Sequence, residues 1–308
     1  MSCGVPFRKG WLHPRYWLTW LGLGFGFVLA WLPVPVRHAL GKGLGFLVFR
    51  YNRKRKSVVL ANLRIAFPGL SHAELEKRAL HTLQWYGRAM VDYCVLFFLP
   101  KRLLQQRIQI EGEGKTQLDQ VIAAGNNVII LLMHSAWLDF APAGLGAFYS
   151  LYGSYKPVKN PVINWLMAKS RCRHVASVIS REAGMMKLVR SLKPGKLLIF
   201  LPDEDLGSEH AVFAPFFGVQ KATLNTPARI ARLKAAECFP CFTWYDEAKK
   251  QYCVRLGAAL SPFPGNNPLK AANVLNHALE QLILYEPDQY MWLLKYYKTR
   301  PDGGDGVY

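Results

Sequence analysis

Acidic residues are scarce in this sequence and missing from its start. The chain of 308 residues holds 20 Asp and Glu against 39 Lys and Arg, a formal charge of +19, and no acid precedes Glu74. Cysteine is also sparse: six, widely scattered, do not make the disulfide framework of a small secreted domain. Long uncharged runs are almost absent. Only Tyr16 to Val36 approaches spanning length, which excludes a multi-pass membrane protein. There is no internal repeat, no low-complexity tract and no linker. Apolar types make up 51% of the chain and charged types 19%, so it is no disordered polymer either. One sizeable globular domain remains, strongly basic and apolar at one end.

The basic residues are concentrated where the acids are missing. The first 73 residues carry 11 Lys and Arg, five of them in the run Arg50-Tyr51-Asn52-Arg53-Lys54-Arg55-Lys56. Within that region Pro33 and Pro35 end the apolar helix early, leaving a 17-residue body from Tyr16 to Leu32, with Trp17, Trp20 and Trp31 suited to interfacial belts. A cleaved signal peptide is disfavoured, because the apolar run is long and no small-x-small site follows it. A full span and an interfacial or re-entrant anchor both remain. In either case the dense basic run keeps residues 50 onward cytoplasmic, against anionic headgroups worth roughly 1 kcal/mol per basic residue. A basic excess also suits nucleic acid. An apolar anchor beside the basic run favours membrane phospholipids instead, so nucleic acid is not an expected partner.

The rest of the chain alternates short apolar runs with amphipathic ones. Ser71-His72-Ala73-Glu74 fits a capping box and opens a helix running toward Leu99. Val128–Met133, His174–Ile179 and Leu197–Leu201 read as buried strands, with Cys238–Trp244 and Tyr252–Leu256 as weaker ones. Helical segments fall near residues 136–149, 161–171, 184–193, 224–237 and 268–285. The expected fold is α/β: a single domain with a central mixed sheet flanked by helices, plus an N-terminal apolar membrane-anchor helix. The boundary is drawn as residues 1–56 for the basic, apolar anchor and 57–308 for the catalytic domain.

Four places carry candidate chemistry. His134-Ser135-Ala136-Trp137-Leu138-Asp139 places a His five positions before an Asp. On a continuous helix these side chains would lie about 140° apart. Because His134 follows a strand and Asp139 falls in the first turns of the next helix, the two are expected to meet. Strand C-termini are also where open α/β sheets bind ligands. A carboxylate on one ring nitrogen fixes the tautomer, and the other nitrogen can then take a proton from a hydroxyl. Ser135 lacks the G-x-S-x-G elbow of a nucleophile. The competing reading of His134 is a satisfied core histidine.

Pro202-Asp203-Glu204-Asp205-Leu206-Gly207 puts three acids at another strand's end, able to bind a metal or a sugar hydroxyl, to orient a basic side chain, or simply to sit in solvent. Arg181 follows the third strand candidate and suits phosphate or carboxylate recognition, or is a surface charge. The stretch Pro287-Asp288-Gln289-Tyr290-Met291-Trp292 through Lys295, Lys298 and Arg300 interleaves aromatic and basic residues, fitting a phospholipid interface and a packed helix equally. Cys238-x-x-Cys241 has no second pair to complete a zinc site and reads as two buried thiols.

In order along the chain these blocks resemble the late acyltransferases of lipid A biosynthesis, the lauroyl/myristoyl transferases, within a wider group of glycerol-phosphate and lysophosphatidate acyltransferases. The likeness rests on His134-x-x-x-x-Asp139, Tyr155-Lys156-Pro157 with Asn160-Pro161, Ser180-Arg181-Glu182 and Pro202-Asp203-Glu204-Asp205-Leu206-Gly207. It continues through Phe213-Ala214-Pro215-Phe216-Phe217-Gly218, Thr226-Pro227-Ala228-Arg229 and Gln289-Tyr290-Met291-Trp292 to Lys298-Thr299-Arg300-Pro301. The resemblance implies transfer of a fatty acyl chain from acyl carrier protein to a hydroxyl of an acylated Kdo-lipid A precursor at the bacterial inner membrane, with the catalytic domain facing the cytoplasm. His134 would be the general base and Asp139 its orienting acid. Arg181, Asp203 and Asp205 would bind or position substrate. No metal and no cofactor is implied beyond the acyl carrier protein thioester as donor, and the partners are that carrier, the anionic glycolipid acceptor and membrane phospholipids. Alternatives are a lysophospholipid or other glycolipid acceptor, thioester hydrolysis at the same dyad, and a non-catalytic basic membrane- or nucleic-acid-binding protein.

Overall fold

A computed structural model describes residues 6–180, 186, 189–190, 192–304 and 306–308. Its centre is a seven-stranded mixed sheet in the order β1-β9-β8-β2-β5-β3-β4. The strands are β1 (Ile108–Glu111), β2 (Asn127–Leu132), β3 (Ser150–Tyr155), β4 (Ser177–Ser180), β5 (Lys196–Phe200), β8 (Ala236–Asp246) and β9 (Gln251–Leu256). Every neighbouring pair is parallel except β8 with β9. Alternation along β2 sorts its side chains between the two faces. Ile129 and Leu131 join one apolar cluster, Val128, Ile130 and Leu132 the other. All five are fully buried or nearly so, as a strand covered on both faces requires.

Helices cover both faces. On one side α4 (His72–Phe98) packs with α10 (Pro268–Ile283), on the other lies α6 (Gly114–Ala123), and α7 (Phe140–Leu145) joins both clusters, through Phe140 and Ala143 on the first side and Ala141 and Leu145 on the second. The capping box at the start of α4 forms in full: Ser71 accepts from the Glu74 amide and Glu74 accepts from the Ser71 amide. α8 (Pro161–Arg171) and α9 (Thr226–Lys234) link strands, and α5 (Lys101–Gln105) leads into β1.

The expected single anchor helix is two helices. α1 is Trp17–Trp31, the chain turns at Leu32-Pro33, and α2 runs Val34–Tyr51. Proline suits the first turn of a helix, so Pro33 and Pro35 end one helix and start the next. Among the described residues no helix is both long and apolar enough to cross a membrane. α2 is instead docked on α4 through glycines: a Cβ on Gly41 would lie 2.3 Å from the Arg88 Cα, and one on Gly45 2.3 Å from the Leu83 carbonyl oxygen. The boundary at residue 56 falls within α3 (Arg53–Ala66).

Other differences have local causes. The strand expected from His174 begins at Ser177, because the His174 and Val175 amides bond back to the Arg171 carbonyl at the end of α8. The helix expected over 136–149 shrinks to α7, since the Ala136 amide is taken by Gln289 and residues 135–138 form turns. Most of the helix expected over 184–193 lies outside the described residues. Phe213-Ala214-Pro215-Phe216-Phe217-Gly218 is the tip of a separate hairpin, β6 (Ala211–Phe216) with β7 (Val219–Leu224). Phe217 and Gly218 both have positive φ, +47° and +76°, the conformation two-residue hairpin loops require.

Candidate active site

The register between β2 and β5 builds the site. Leu131 lies opposite Phe200 in this parallel pair, and three residues further along each chain come His134 and Asp203. Parallel neighbours emerge from the same sheet edge, so the two side chains arrive together. His134 Nδ1 lies 2.7 Å from Asp203 Oδ1, and the His134 amide donates to Oδ2 at 2.8 Å. The Tyr290 hydroxyl donates to the same Oδ2 at 3.0 Å. A carboxylate only accepts, so Nδ1 carries the proton and any exchange with substrate falls to Nε2.

Asp203 is fully buried. Burial alone would raise its pKa, but the His134 charge, the hydrogen bonds from His134 and the charge of Lys221 outweigh it and hold the carboxyl below its ordinary value. Lys221, on β7, is itself buried, with no hydrogen-bond partner for Nζ. Burial pushes it down to about 8, against the pull of Asp203 and Asp205.

The contact expected between His134 and Asp139 does not form. Asp139 accepts two hydrogen bonds from Arg171 at the end of α8, from Nε at 3.1 Å and Nη2 at 3.0 Å. Burial lowers the Arg171 pKa, but the Asp139 charge more than compensates and raises it. Asp139 is the last residue before α7, with its partner across the cavity mouth rather than back along the chain. Both His134 and Asp139 still line one cavity of about 290 Å³, together with Tyr155, Lys156, Arg171 and Glu204 on its polar side and Leu132, Ile199 and Leu201 among its apolar walls.

Asp203 and Asp205 turn inward, and neither lines that cavity. Asp205 accepts from the Gly207 amide and from the amide and hydroxyl of Thr299, at 3.0, 2.8 and 2.7 Å, fastening the C-terminal segment. The segment is extended, so alternation sends 203 and 205 to the interior and Glu204 between them to the cavity. Arg181 lies outside the described residues.

The aromatic residues of the C-terminal block are interior, in turns rather than a helix, while Lys295 and Lys298 stay exposed. Tyr290, Trp292, Tyr296 and Tyr297 are buried. Gln289 bonds the Trp137 indole at 2.5 Å and both backbone groups of Tyr245, while the Met291 amide bonds the His134 carbonyl. These contacts fix the loop that holds His134. Ser135 is buried and its hydroxyl accepts from the Trp137 amide at 3.2 Å, far from a nucleophile's exposed position. Cys238 and Cys241 sit on opposite faces of β8, in different apolar clusters, with burial raising both thiols.

With this geometry in view, residues 5–299 match the profile of the bacterial lipid A biosynthesis acyltransferases. The chain belongs to that family. It is 31% identical to the lipid A biosynthesis lauroyltransferase of Escherichia coli strain K12, over 96% of each chain. It is 29% identical to the palmitoleoyltransferase of that strain over 98% of each chain. Against the strain's myristoyltransferase the identity is 27%, over 96% of this chain and 92% of the relative. This acyltransferase therefore carries its His134-x-x-x-x-Asp139 and Pro202–Gly207 blocks just beyond the C-terminal ends of β2 and β5. Sequence reasoning missed two of the residues found there. Arg171 gave no signal beyond position, and Lys221 lies on a hairpin strand that the apolar pattern did not reveal; Glu204 and Tyr290 stood inside candidate blocks without being singled out from their neighbours.

Proposed function

We propose that this acyltransferase moves a fatty acyl chain from the thioester of acyl carrier protein to a hydroxyl of an acylated Kdo-lipid A precursor. The observation that carries the reading is the His134 imidazole at the C-terminal end of β2, its Nδ1 held by buried Asp203 at 2.7 Å beside a cavity whose lining includes Lys156 and Arg171. His134 Nε2 takes the proton of the acceptor hydroxyl as its oxygen attacks the thioester carbonyl carbon. The carbon–sulfur bond breaks, the carrier's thiol leaves with the proton, and an ester remains. Two substrates held together need no acyl-enzyme, because the thioester is already activated. Asp139 holds Arg171 at the cavity, where Arg171 and Lys156 supply positive charge for acceptor phosphate or for the thioester oxygen as it becomes anionic. The mechanism uses no metal and no other cofactor.

The first two helices seat the enzyme on the membrane. Leu18 and Leu21 of α1 and Tyr51 at the end of α2 are among the most exposed apolar side chains, at 82%, 72% and 73%, and Tyr51 lies within the basic run at residues 50–56. Exposed apolar side chains on helices flanked by basic residues fit the headgroup boundary of an anionic bilayer. This reading keeps residues 1–56 as the membrane-seating segment, 57–308 as the catalytic part, and places the enzyme on the cytoplasmic side of the bacterial inner membrane. A +19 chain would also draw in an acidic carrier protein.

The deciding experiment is acyl transfer from acyl carrier protein to a Kdo-lipid A precursor, read by mass spectrometry with a panel of donor lengths. A gain of one acyl group, lost in His134→Ala, supports the proposal. A folded wild type that acylates only lysophospholipid, or only releases free fatty acid, would move the acceptor or the reaction class.

A further inference from the structure

A second cavity lies outside the catalytic site. The groove between α1 and α8 measures about 480 Å³ and is walled by Trp20, Leu23 and Phe27 of α1, Phe97 and Phe98 of α4, and Trp165 of α8. Its α8 lining includes Leu166, Lys169 and Ser170, whereas Met167 and Arg171 of the same helix line the catalytic cavity. At 100° per residue those two sets point roughly 130° apart, so one helix separates two distinct spaces.

Two cations stand at this groove. Lys169 lies over the Trp165 ring, 5.0 Å from its centroid. Arg173 is fixed by the Phe97 and Leu99 carbonyls, which occupy two of its five N–H groups. Among the described residues neither Lys169 nor Arg173 forms an ion pair with a carboxylate. An apolar slot with unneutralised cations, beneath a helix whose outer face is exposed and apolar, matches an amphiphile with an anionic head.

We propose that this groove binds one anionic glycerophospholipid, an acyl chain along the aromatic wall and the phosphate at Lys169 and Arg173. It would act as a structural lipid site separate from the acceptor and donor. The inference rests on the membrane seat proposed for α1 and α2, and goes beyond it by naming a specific occupant. Gly24 supplies the handle for a test. It lines the groove, and a Cβ there would meet nothing within 4 Å, so Gly24→Phe fills the space without a clash and removes a helix-weakening glycine.

The full chain is placed in phosphatidylcholine nanodiscs doped with phosphatidylglycerol carrying a mid-chain diazirine, irradiated, and its adducts mapped by mass spectrometry. A phosphatidylcholine diazirine serves as the neutral-head comparison, and vesicle flotation reads the membrane seat independently. Adducts on Leu23, Phe27 and Phe97 with the anionic probe, lost in Gly24→Phe and lowered about five-fold in Lys169→Gln, support the site. Flotation and fold, read by circular dichroism, stay unchanged in both variants. Adducts confined to Leu18, Leu21 and Phe25, indifferent to Gly24→Phe, would mean boundary lipid only and overturn it. Equal labelling by both probes would overturn the headgroup assignment. Loss of flotation in the wild type would remove the membrane seat itself and the lipid site with it.

Discussion

His134 and Asp203 are joined twice, ring nitrogen to one carboxylate oxygen and backbone amide to the other, at 2.7 and 2.8 Å. The second bond matters as much as the first. It locks the position of the carboxylate relative to the backbone that carries the imidazole, so ring and acid move together. Tyr290 adds a third hydrogen bond, to the oxygen that also accepts from the amide.

Asp203→Asn should therefore abolish the correct tautomer while leaving the shape intact. We expect kcat to fall about 10²–10⁴-fold, within reach of the loss in His134→Ala, with the melting temperature little changed in the latter. Tyr290→Phe keeps the two His134 bonds and should retain most activity. Steady-state kinetics on the three variants checks the order.

The acid limb of the kcat/KM profile separates the two carboxylates. Asp203 is negative beside the imidazole, so Asp203→Asn lowers the imidazole pKa and moves the limb to lower pH. Asp139 is neutralised by Arg171, so Asp139→Asn should cost activity through loss of the Arg171 clamp and leave the limb in place. A limb that moves with Asp139 and stays with Asp203 would restore the sequence-based pairing.

Lys221 should act in the opposite direction. Its buried charge disfavours protonation of His134 through Asp203, so Lys221→Met raises the imidazole pKa and moves the acid limb to higher pH. Burial holds Lys221 down to about 8, so its cost to the native state is fully present below pH 8 and is relieved as pH rises toward the ordinary lysine value. Thermal melts across pH 7 to 10 would show wild-type stability, less that of Lys221→Met, rising over that window.

These assignments show where the sequence stopped being readable. The position of His134 was legible, since an apolar run of strand length ends just before it. So were α4 with its capping box, and two thiols odd-spaced on a strand. The partner of His134 was not legible. Asp203 is 69 residues away, and only the adjacency of β2 and β5, a long-range pairing, brings it to the imidazole. Local spacing pointed to Asp139 instead, and Arg171 claims that acid from another helix. β1 is a four-residue edge strand, β3 has a half-polar sequence, and β6–β7 is marked by Phe and Pro rather than by alternation, so none carries a clear periodic signal. Prolines at 33 and 35 mark the end of an apolar helix in the sequence, and in the fold they also begin α2.

The docking of the N-terminal helices yields the last prediction. Asp92 of α4 is fully buried and takes hydrogen bonds from Arg37 Nε at 2.7 Å and the Tyr252 hydroxyl at 2.7 Å, with His38 Nε2 at 3.0 Å. Burial would raise its pKa, but the His38 hydrogen bond and the Arg37 charge overcome that and depress it. A carboxyl depressed in the native state contributes stability above its unfolded value, about 3.9, and that contribution is lost as pH falls through the native value. Asp92→Asn leaves the buried Arg37 without its counter-charge and should cost about 3–5 kcal/mol at neutral pH. Between pH 5 and 3 the variant should lose less further stability than wild type, because the titrating group is gone. Limited trypsin digestion gives a second readout. Arg37 is 1% exposed in the docked state, so cleavage there should be slow in wild type and fast once α2 is released. Equal cleavage in both proteins would mean that the glycine contacts at Gly41 and Gly45 hold α2 without the charge network.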